Sequence, residues 1–213
     1  MEHVVVCRAC AARHDGAEAP TLCASCGAVL PVHPAASPFA RLGVNPPRFG
    51  VDDATLERAW LQRSRQVHPD RFARRSDADR RAAAEQTAAL NDAWRALRGP
   101  FFRAVWLVRS VGVVEPRLPS AALVDLMEAR EEAATSPEAR AAVVARSEAR
   151  FAEVMTRVAV ELGAVDAAGA WTGAAIELPR VRRAAALLAE GRTLARLVAD
   201  LSGPTLIPGL EAR

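Results

Sequence analysis

The four cysteines of the chain form two Cys-x-x-Cys pairs, and twelve residues separate one pair from the other. A Cys-x-x-Cys turn places two thiolates on one side of a tight knuckle, and two such knuckles can enclose a tetrahedral Zn²⁺ ion. Gly27 directly follows the second pair, at a position where the knuckle backbone can require a positive φ. We therefore predict a structural zinc site. Its four ligands are Cys7, Cys10, Cys23 and Cys26.

Other interpretations of these cysteines are disfavoured. Disulfides are unusual in a reducing cytoplasm, and a redox-active Cys-x-x-Cys usually lies near a βαβ pattern, which this sequence lacks. His14 lies between the pairs and could replace one cysteine. Because four thiolates already complete a closed shell, we expect His14 to be a solvated loop residue and assign the metal no catalysis.

A His-Pro-Asp tripeptide at residues 68–70 is the second group whose residue types could carry a function. Pro69 stiffens the loop, so His68 and Asp70 can be presented at little entropic cost. A carboxylate held in this way can accept a bidentate hydrogen bond from an arginine of a partner. The tripeptide alone has low specificity, because the same residues can simply end a helix. Arginines surround it on both sides: Arg58, Arg63, Arg65, Arg71, Arg74 and Arg75.

The segments on either side of the tripeptide predict a helical hairpin. Asp52 or Asp53 can cap a first helix, and Ser76 can cap a second helix that ends before Gly99-Pro100. Apolar residues recur along both segments at helical spacing. Two long helices joined by a short loop pack antiparallel, so the tripeptide would lie at the turn of the hairpin.

The last third of the chain predicts a bundle of three helices. Ser120 can cap the first, and the run 136–138, Ser-Pro-Glu, is a strong start signal for the second, whose apolar pattern continues to Gly163. A final helical stretch runs over 171–201, and Pro179 must kink or split it. The residues after it form a tail that we expect to be frayed.

Composition and charge exclude several classes of protein. The chain has no Lys and no Tyr, which excludes a P-loop and catalysis through a Schiff base or a tyrosine. No segment approaches the ~18 apolar residues that cross a membrane, and the first residues lack a signal-peptide pattern, so we expect a cytoplasmic protein. Residues 39–112 hold 14 Arg against 8 acidic residues, which indicates an acidic partner. Proline clusters divide the chain into four predicted parts: 1–34, 39–112, 118–201 and the tail 202–213.

Five short segments of the sequence indicate a protein family more specifically than composition does. They are FARLG at 39–43, RQVHPDRF at 65–72, LNDAWRAL at 90–97, PFFRAVWL at 100–107 and LVDLMEAREE at 123–132. The first three together resemble a J-domain. With the fourth and fifth, the chain resembles the HscB family, the J-type co-chaperones of iron–sulfur cluster assembly, some of which carry a four-cysteine extension at the N-terminus.

The resemblance implies an all-α protein: a J-domain helical hairpin and a C-terminal three-helix bundle, preceded by a small zinc-knuckle module. It implies a co-chaperone that is not an enzyme and binds no nucleotide, but stimulates the ATPase of a DnaK- or HscA-type chaperone. The stimulation would be carried by His68, Pro69 and Asp70. Docking onto an acidic face of the ATPase would be carried by Arg58, Arg63 and Arg65.

The resemblance also assigns the bundle a partner, an IscU-type scaffold protein on which iron–sulfur clusters are built. The contact residues would be Leu123, Val124, Met127, Glu128 and Glu131. The family's scaffold-contacting aromatic on the last helix aligns here with Arg183, so a general J-protein with a different client stays open. A zinc-ribbon nucleic-acid binder is disfavoured because residues 1–38 have 2 Arg against 3 acidic residues, and we expect neither nucleic acid nor membrane as a partner.

Overall fold

The computed structural model describes residues 4–169, 171, 176–203, 206 and 207. The chain divides into two compact units, Met1–Arg98 and Gly99–Arg213. Most of the tail predicted over 202–213 lies outside the described residues, and so do residues 172–175 of the last predicted helical stretch. None of the helices in the described ranges combines the length and hydropathy that crossing a bilayer requires.

The predicted all-α fold is confirmed for both units. The elements of the first unit are β1 Val4–Val6, β2 Arg13–Asp15, α1 Pro38–Arg41, α2 Asp53–Gln66 and α3 Asp77–Leu97, with short 3-10 turns at Gly16–Glu18 and Pro69–Phe72. Those of the second unit are α4 Pro100–Ser110, α5 Ser120–Thr135, α6 Pro137–Ala167 and α7 Leu178–Ser202. Among the described residues, the antiparallel pair β1–β2 and the short helix α1 are additions to the prediction, because elements of three or four residues are too short to produce a recognisable periodicity.

The helical hairpin begins and ends where the sequence predicted. The Asp52 carboxylate accepts a hydrogen bond from the Thr55 amide at 2.8 Å and so caps α2. The Ser76 hydroxyl accepts one from the Asp79 amide at 3.2 Å and caps α3. The φ of Gly99 is 74°, a left-handed conformation that separates α3 from α4.

A pair of tryptophans fixes how the two hairpin helices face each other. Trp60 of α2 stacks on Trp94 of α3 with ring centroids 5.5 Å apart. The Trp60 indole also donates a hydrogen bond to the Asn91 side chain at 3.0 Å. Nearer the turn, the Thr87 hydroxyl lies 3.3 Å from the Val67 carbonyl. As the chain advances from Trp60 to Val67, its partners on α3 move back from Trp94 to Thr87, which is the antiparallel arrangement.

Two details of α5 and α6 differ from the sequence predictions. The prediction that Ser120 caps α5 is wrong, because Ser120 is the first helical residue and Pro119 precedes it without a side-chain cap. The pattern ended α6 at Gly163, but the helix continues to Ala167. A helical glycine costs only about 1 kcal/mol, and Val165, which lies beyond it, is fully buried.

Pro179, which the sequence predicts to kink or split the stretch 171–201, does not kink α7, and residues 172–175 before it lie outside the described residues. α7 begins at Leu178, so Pro179 lies in the first turn, where a backbone amide has no partner within the helix in any case. α7 packs closely on α6, and α4 packs on both. Phe101 of α4 stacks on Phe151 of α6 at 6.3 Å. α4, which the sequence placed in the 39–112 part, thus belongs to the second compact unit.

Candidate metal centre and docking surfaces

The two Cys-x-x-Cys turns have the same backbone structure. In the first, the Cys7 amide donates to the Ala12 carbonyl at 2.8 Å, and the Ala11 amide donates to the Cys7 carbonyl at 2.9 Å. The second knuckle repeats both hydrogen bonds, at the same two lengths, among Cys23, Gly27 and Ala28. Each knuckle places its two thiols on the same side of the backbone, so the two knuckles together bring four sulfur atoms into one cluster.

The positive φ predicted for Gly27 is confirmed at 72°. Nothing lies within 4 Å of a Cβ added there, so Gly27→Ala meets only the backbone strain of a left-handed residue. We expect this substitution to lower the free energy of unfolding of the first unit by about 1 kcal/mol, measured by scanning calorimetry. The matched control is Gly163→Ala, which also has open space but a helical backbone, and should stabilise α6 by about 1 kcal/mol. A neutral Gly27→Ala would contradict the knuckle geometry.

The predicted cysteine cluster is confirmed. All four Sγ atoms lie within 4.8 Å of one another. The Cys7–Cys26 and Cys10–Cys23 sulfur pairs are each 3.6 Å apart. That distance is far above the roughly 2.05 Å of a disulfide. It is close to the roughly 3.8 Å that separates thiolates in a tetrahedron with Zn–S bonds of about 2.3 Å. The cluster therefore has the size and donor set of a four-thiolate metal site.

The pKa values of two thiols in the cluster are shifted in opposite directions. Burial disfavours the thiolate of Cys23, but hydrogen bonds from the Cys26 and Ser25 amides outweigh burial and lower the pKa of Cys23 to about 5. A hydrogen bond from the Ala28 amide favours the thiolate of Cys26, but the neighbouring Cys10 thiol and burial outweigh it and raise the pKa of Cys26 to about 12. A divalent cation removes this conflict because it stabilises all four thiolates at once.

The expectation that His14 is a solvated loop residue is wrong. His14 lies in β2 opposite Val5 and is half-buried. Its Nε2 is 3.3 Å from the Sγ of Cys23. An imidazole N–H that donates to a metal-binding thiolate orients that ligand and stabilises its charge. The spacing of the cysteines carries no information about this contact, because it arises from the pairing of β1 with β2.

The His-Pro-Asp loop is exposed at the turn of the hairpin. The side chains of His68 and Asp70 are 57% and 89% exposed. Pro69 opens a short 3-10 turn, and the Nδ1 of His68 accepts a hydrogen bond from the Asp70 amide at 3.3 Å. The same nitrogen lies 3.4 Å from an Asp70 carboxylate oxygen. The loop thus presents an imidazole and a carboxylate side by side to the solvent.

Both ends of this loop are held to the hairpin. Val67, directly before it, is fully buried, and its amide donates to the Arg63 carbonyl in the last turn of α2. Directly after it, the Arg71 guanidinium donates to the Arg65 carbonyl at 3.1 Å. The loop therefore has little freedom to move away from the end of α2, which lowers the entropic cost of binding a partner.

The three arginines predicted to dock on a partner do not share one surface. Arg58 and Arg65 are exposed. Arg63 is turned inward, and its guanidinium donates to the Ala19 and Arg41 carbonyls, both at 3.0 Å. Burial lowers the pKa of Arg63. The structure thus gives Arg63 a role inside the unit, and only Arg58 and Arg65 remain on the outer face of α2.

The predicted scaffold face lies on the outside of α5. Leu123, Val124 and Met127 are 47%, 51% and 63% exposed, an unusual run of exposed apolar side chains. Glu128 and Glu131 are also exposed. The opposite side of α5 is the packed one: Leu126 and Ala129 lie against a buried cluster of Ala133, Val143 and Leu197. The helix therefore separates residues that pack from residues that remain available.

Arg183, which aligns with an aromatic residue of the resembled family, is paired within the bundle. Its guanidinium donates to both carboxylate oxygens of Glu161, at 2.8 and 3.0 Å. Arg180 contacts the same carboxylate at 3.2 Å. The Arg183 guanidinium is the main cause that lowers the pKa of Glu161. This position on α7 therefore presents an ion pair where the family resemblance implies an aromatic ring.

Comparison with known proteins agrees with this architecture. A Co-chaperone protein HscB homolog of Bordetella pertussis is 36% identical over 142 residues, which cover 62% of this chain and 83% of the relative. Another, of Bordetella petrii, is 47% identical over 75 residues, and that match spans 44% of its length. The crystal structure of human co-chaperone protein HscB superposes with a TM-score of 0.74, at 22% identity, over 92% of this chain and 96% of the human one. No family model matches the chain.

An exposed His-Pro-Asp loop between two antiparallel helices is the feature that defines the J-domain class. The similarity to the human structure supports the fold. The match to the Bordetella pertussis relative also supports membership of the family, because it covers most of that protein at 36% identity. The chain belongs to the HscB family of co-chaperones.

Proposed function

We propose that this chain is a cytoplasmic J-type co-chaperone of iron–sulfur cluster assembly. It stimulates the ATPase of a DnaK- or HscA-type chaperone and delivers an IscU-type scaffold protein to it. The observation that carries the proposal is the exposed loop, in which His68 and Asp70 face the solvent at a stiffened turn. The catalytic groups belong to the partner, and this chain binds no nucleotide.

The loop acts by binding one state of the ATPase more tightly than the other. A ligand shifts a conformational equilibrium only by its difference in affinity for the two states. The Asp70 carboxylate is 89% exposed, so it can take a bidentate hydrogen bond from an arginine of the partner. The His68 ring keeps the backbone of Asp70 in place through its hydrogen bond to the Asp70 amide.

The positive face beside the loop steers the encounter with the ATPase. Arg58 and Arg65 lie on the outer face of α2, and Arg74 and Arg75 follow the loop, all exposed. Charges of one sign on an exposed face raise the association rate with an acidic partner more than they raise affinity, and salt screens them. Docking should therefore weaken as ionic strength rises, with no change in the fold.

The exposed face of α5 binds the scaffold protein. Leu123, Val124 and Met127 provide apolar area, and Glu128 and Glu131 provide a charged margin beside it. Apolar side chains at the centre and polar ones at the rim are the usual anatomy of a protein interface. The apolar part contributes affinity and the acidic rim contributes specificity.

The four cysteines bind Zn²⁺ as a structural ion. The sulfur spacing suits a tetrahedral four-thiolate ion, and the shared pattern of backbone hydrogen bonds suits a pair of zinc knuckles. A closed shell of four thiolates has no open position for a substrate, so the ion supplies folding energy and no chemistry. We propose neither nucleic acid nor a membrane as a partner.

One observation favours a second candidate, a J-protein with a client other than the IscU-type scaffold. Arg183 forms an ion pair with Glu161 where the resembled family has an aromatic ring on the last helix. Titration of the full chain into a DnaK-type ATPase, with and without the scaffold protein, separates the possibilities. Stimulation that the scaffold enhances supports the proposal, and stimulation that ignores the scaffold favours another client. Unchanged ATP turnover would contradict both.

A further inference from the structure

A buried hydrogen bond joins the four-cysteine module to the helical hairpin. Leu30, which follows the second knuckle, is fully buried and packs with the side chains of Cys7 and Cys23. The carbonyl of the same Leu30 accepts a hydrogen bond at 2.8 Å from Gln86, a buried residue in the middle of α3. Leu30 therefore connects the two proposed metal ligands Cys7 and Cys23 to the buried Gln86 of the hairpin.

A second connection reaches the helix that carries the His-Pro-Asp loop. The Arg63 guanidinium donates to the Ala19 carbonyl, which lies between the two knuckles, and to the Arg41 carbonyl at the end of α1. The carbonyl of Arg63 in turn accepts a hydrogen bond from the amide of Val67, the residue before His68. One residue thus joins the module to the last turn before the loop.

The module depends on the ion for its own structure. Within its described residues, 4–34, the regular elements are a pair of three-residue strands and one 3-10 turn, and its buried cluster is small and includes two of the cysteines. In such small modules, ligand binding supplies the folding free energy, so removal of the ion unfolds them. Unfolding would withdraw the carbonyls of Leu30 and Ala19, and Gln86 and Arg63 would then be left with unpaired polar groups.

We propose that metal binding at the four cysteines controls the order of the His-Pro-Asp loop through Arg63 and Gln86. With the ion bound, the module braces the end of α2 and the middle of α3. Without it, the last turn of α2 and the loop open more often. Arg63 and Gln86 are positioning residues in this device. The inference rests on the proposed metal site and needs no partner ATPase for its test.

Hydrogen exchange of the full chain, zinc-loaded and after zinc removal by a chelator, tests the proposal. We expect backbone amides of residues 63–72 to exchange about tenfold faster without zinc, a change typical of lost local protection. Residues 137–167 of α6, in the other compact unit, serve as the internal reference and should change by less than about twofold. Bound zinc is measured in the same samples by atomic absorption.

Two substitutions test the route. In Arg63→Met, zinc removal should accelerate exchange at 63–72 by less than about threefold, because the module no longer reaches α2. In the matched control Arg95→Met, an exposed arginine of α3 that pairs with Asp92, the full tenfold response should remain. If Arg63→Met does not fold, Gln86→Leu removes the hydrogen bond to the Leu30 carbonyl instead, and the zinc response of residues 63–72 is measured in the same way.

Each outcome is decisive for one statement. If zinc binds and is removed without changing hydrogen exchange at residues 63–72, the inference is wrong but the proposed metal site stands. A chain that takes up no zinc would overturn the metal site and the inference with it. A response that Arg63→Met and Gln86→Leu both leave unchanged would contradict the assigned route.

Discussion

Replacement of Asp70 by Asn should abolish stimulation of a DnaK-type ATPase while leaving the chain folded. The carboxylate of Asp70 is 89% exposed, so the fold has little to lose from the change. The amide of Asn keeps the shape but removes the charge that a partner arginine can pair with in two parallel hydrogen bonds. Coupling free energies between sites are typically 1–3 kcal/mol, so we expect a loss of about 5- to 150-fold in stimulation.

His68→Gln tests the other half of the loop. Glutamine lacks the ring nitrogen that accepts the hydrogen bond from the Asp70 amide, so the carboxylate should lose its fixed direction. We expect a loss of stimulation within the same range of about 5- to 150-fold, measured as single-turnover ATP hydrolysis at saturating chain.

The matched control for the loop is Asp92→Asn. Asp92 is an exposed carboxylate of α3 that pairs with Arg95, so its replacement changes the net charge by the same amount as Asp70→Asn. It should leave stimulation unchanged within experimental scatter. Equal losses in Asp92→Asn and Asp70→Asn would reduce the effect to net charge and remove the loop from the proposed function.

Removal of two apolar side chains from α5 is the second large expected effect. Leu123→Ala combined with Met127→Ala should weaken binding of an IscU-type scaffold by about 100-fold, because central apolar residues of an interface often cost about 2 kcal/mol or more on truncation. Both side chains are about half exposed, so the variant leaves no cavity and the bundle should unfold at the same temperature. Isothermal titration calorimetry with the scaffold measures the change.

The same variant separates the two activities of the chain. Stimulation of the ATPase in the absence of scaffold should be unchanged, because α5 and the His-Pro-Asp loop belong to different compact units. The control is Val114→Ala, which truncates a side chain before α5 that is 77% exposed. Retained scaffold binding in Leu123→Ala/Met127→Ala, or an equal loss in Val114→Ala, would contradict the assignment of this face.

The features that the sequence predicted correctly depend on short-range interactions. Asp52 and Ser76 cap their helices because each side chain reaches an amide three residues later. The cysteine cluster follows from two knuckles whose hydrogen bonds span at most five residues. Where a local rule failed, as at Pro179, the sequence did not show on which side of the proline the helix begins.

Contacts between distant residues could not be predicted from such rules. Gln86 and Leu30 are 56 positions apart, and nothing in their spacing indicates that the buried side-chain amide of Gln86 pairs with the four-cysteine module. The family resemblance implies a docking role for Arg63 together with Arg58 and Arg65, yet the Arg63 guanidinium is bound by the carbonyls of Ala19 and Arg41. A helix repeat places a residue on a face but does not say what covers that face.

Local rules were enough to predict the cluster of four cysteines, the helices and the tripeptide at their turn, because capping, turn geometry and cysteine spacing act over a few bonds. The pairing of distant segments was needed to show that Gln86 of α3 donates to the Leu30 carbonyl, that Arg63 points inward and that His14 contacts a thiol. These contacts depend on which surfaces of distant segments pack against each other. That outcome is set by packing of the whole unit, and no local pattern encodes it.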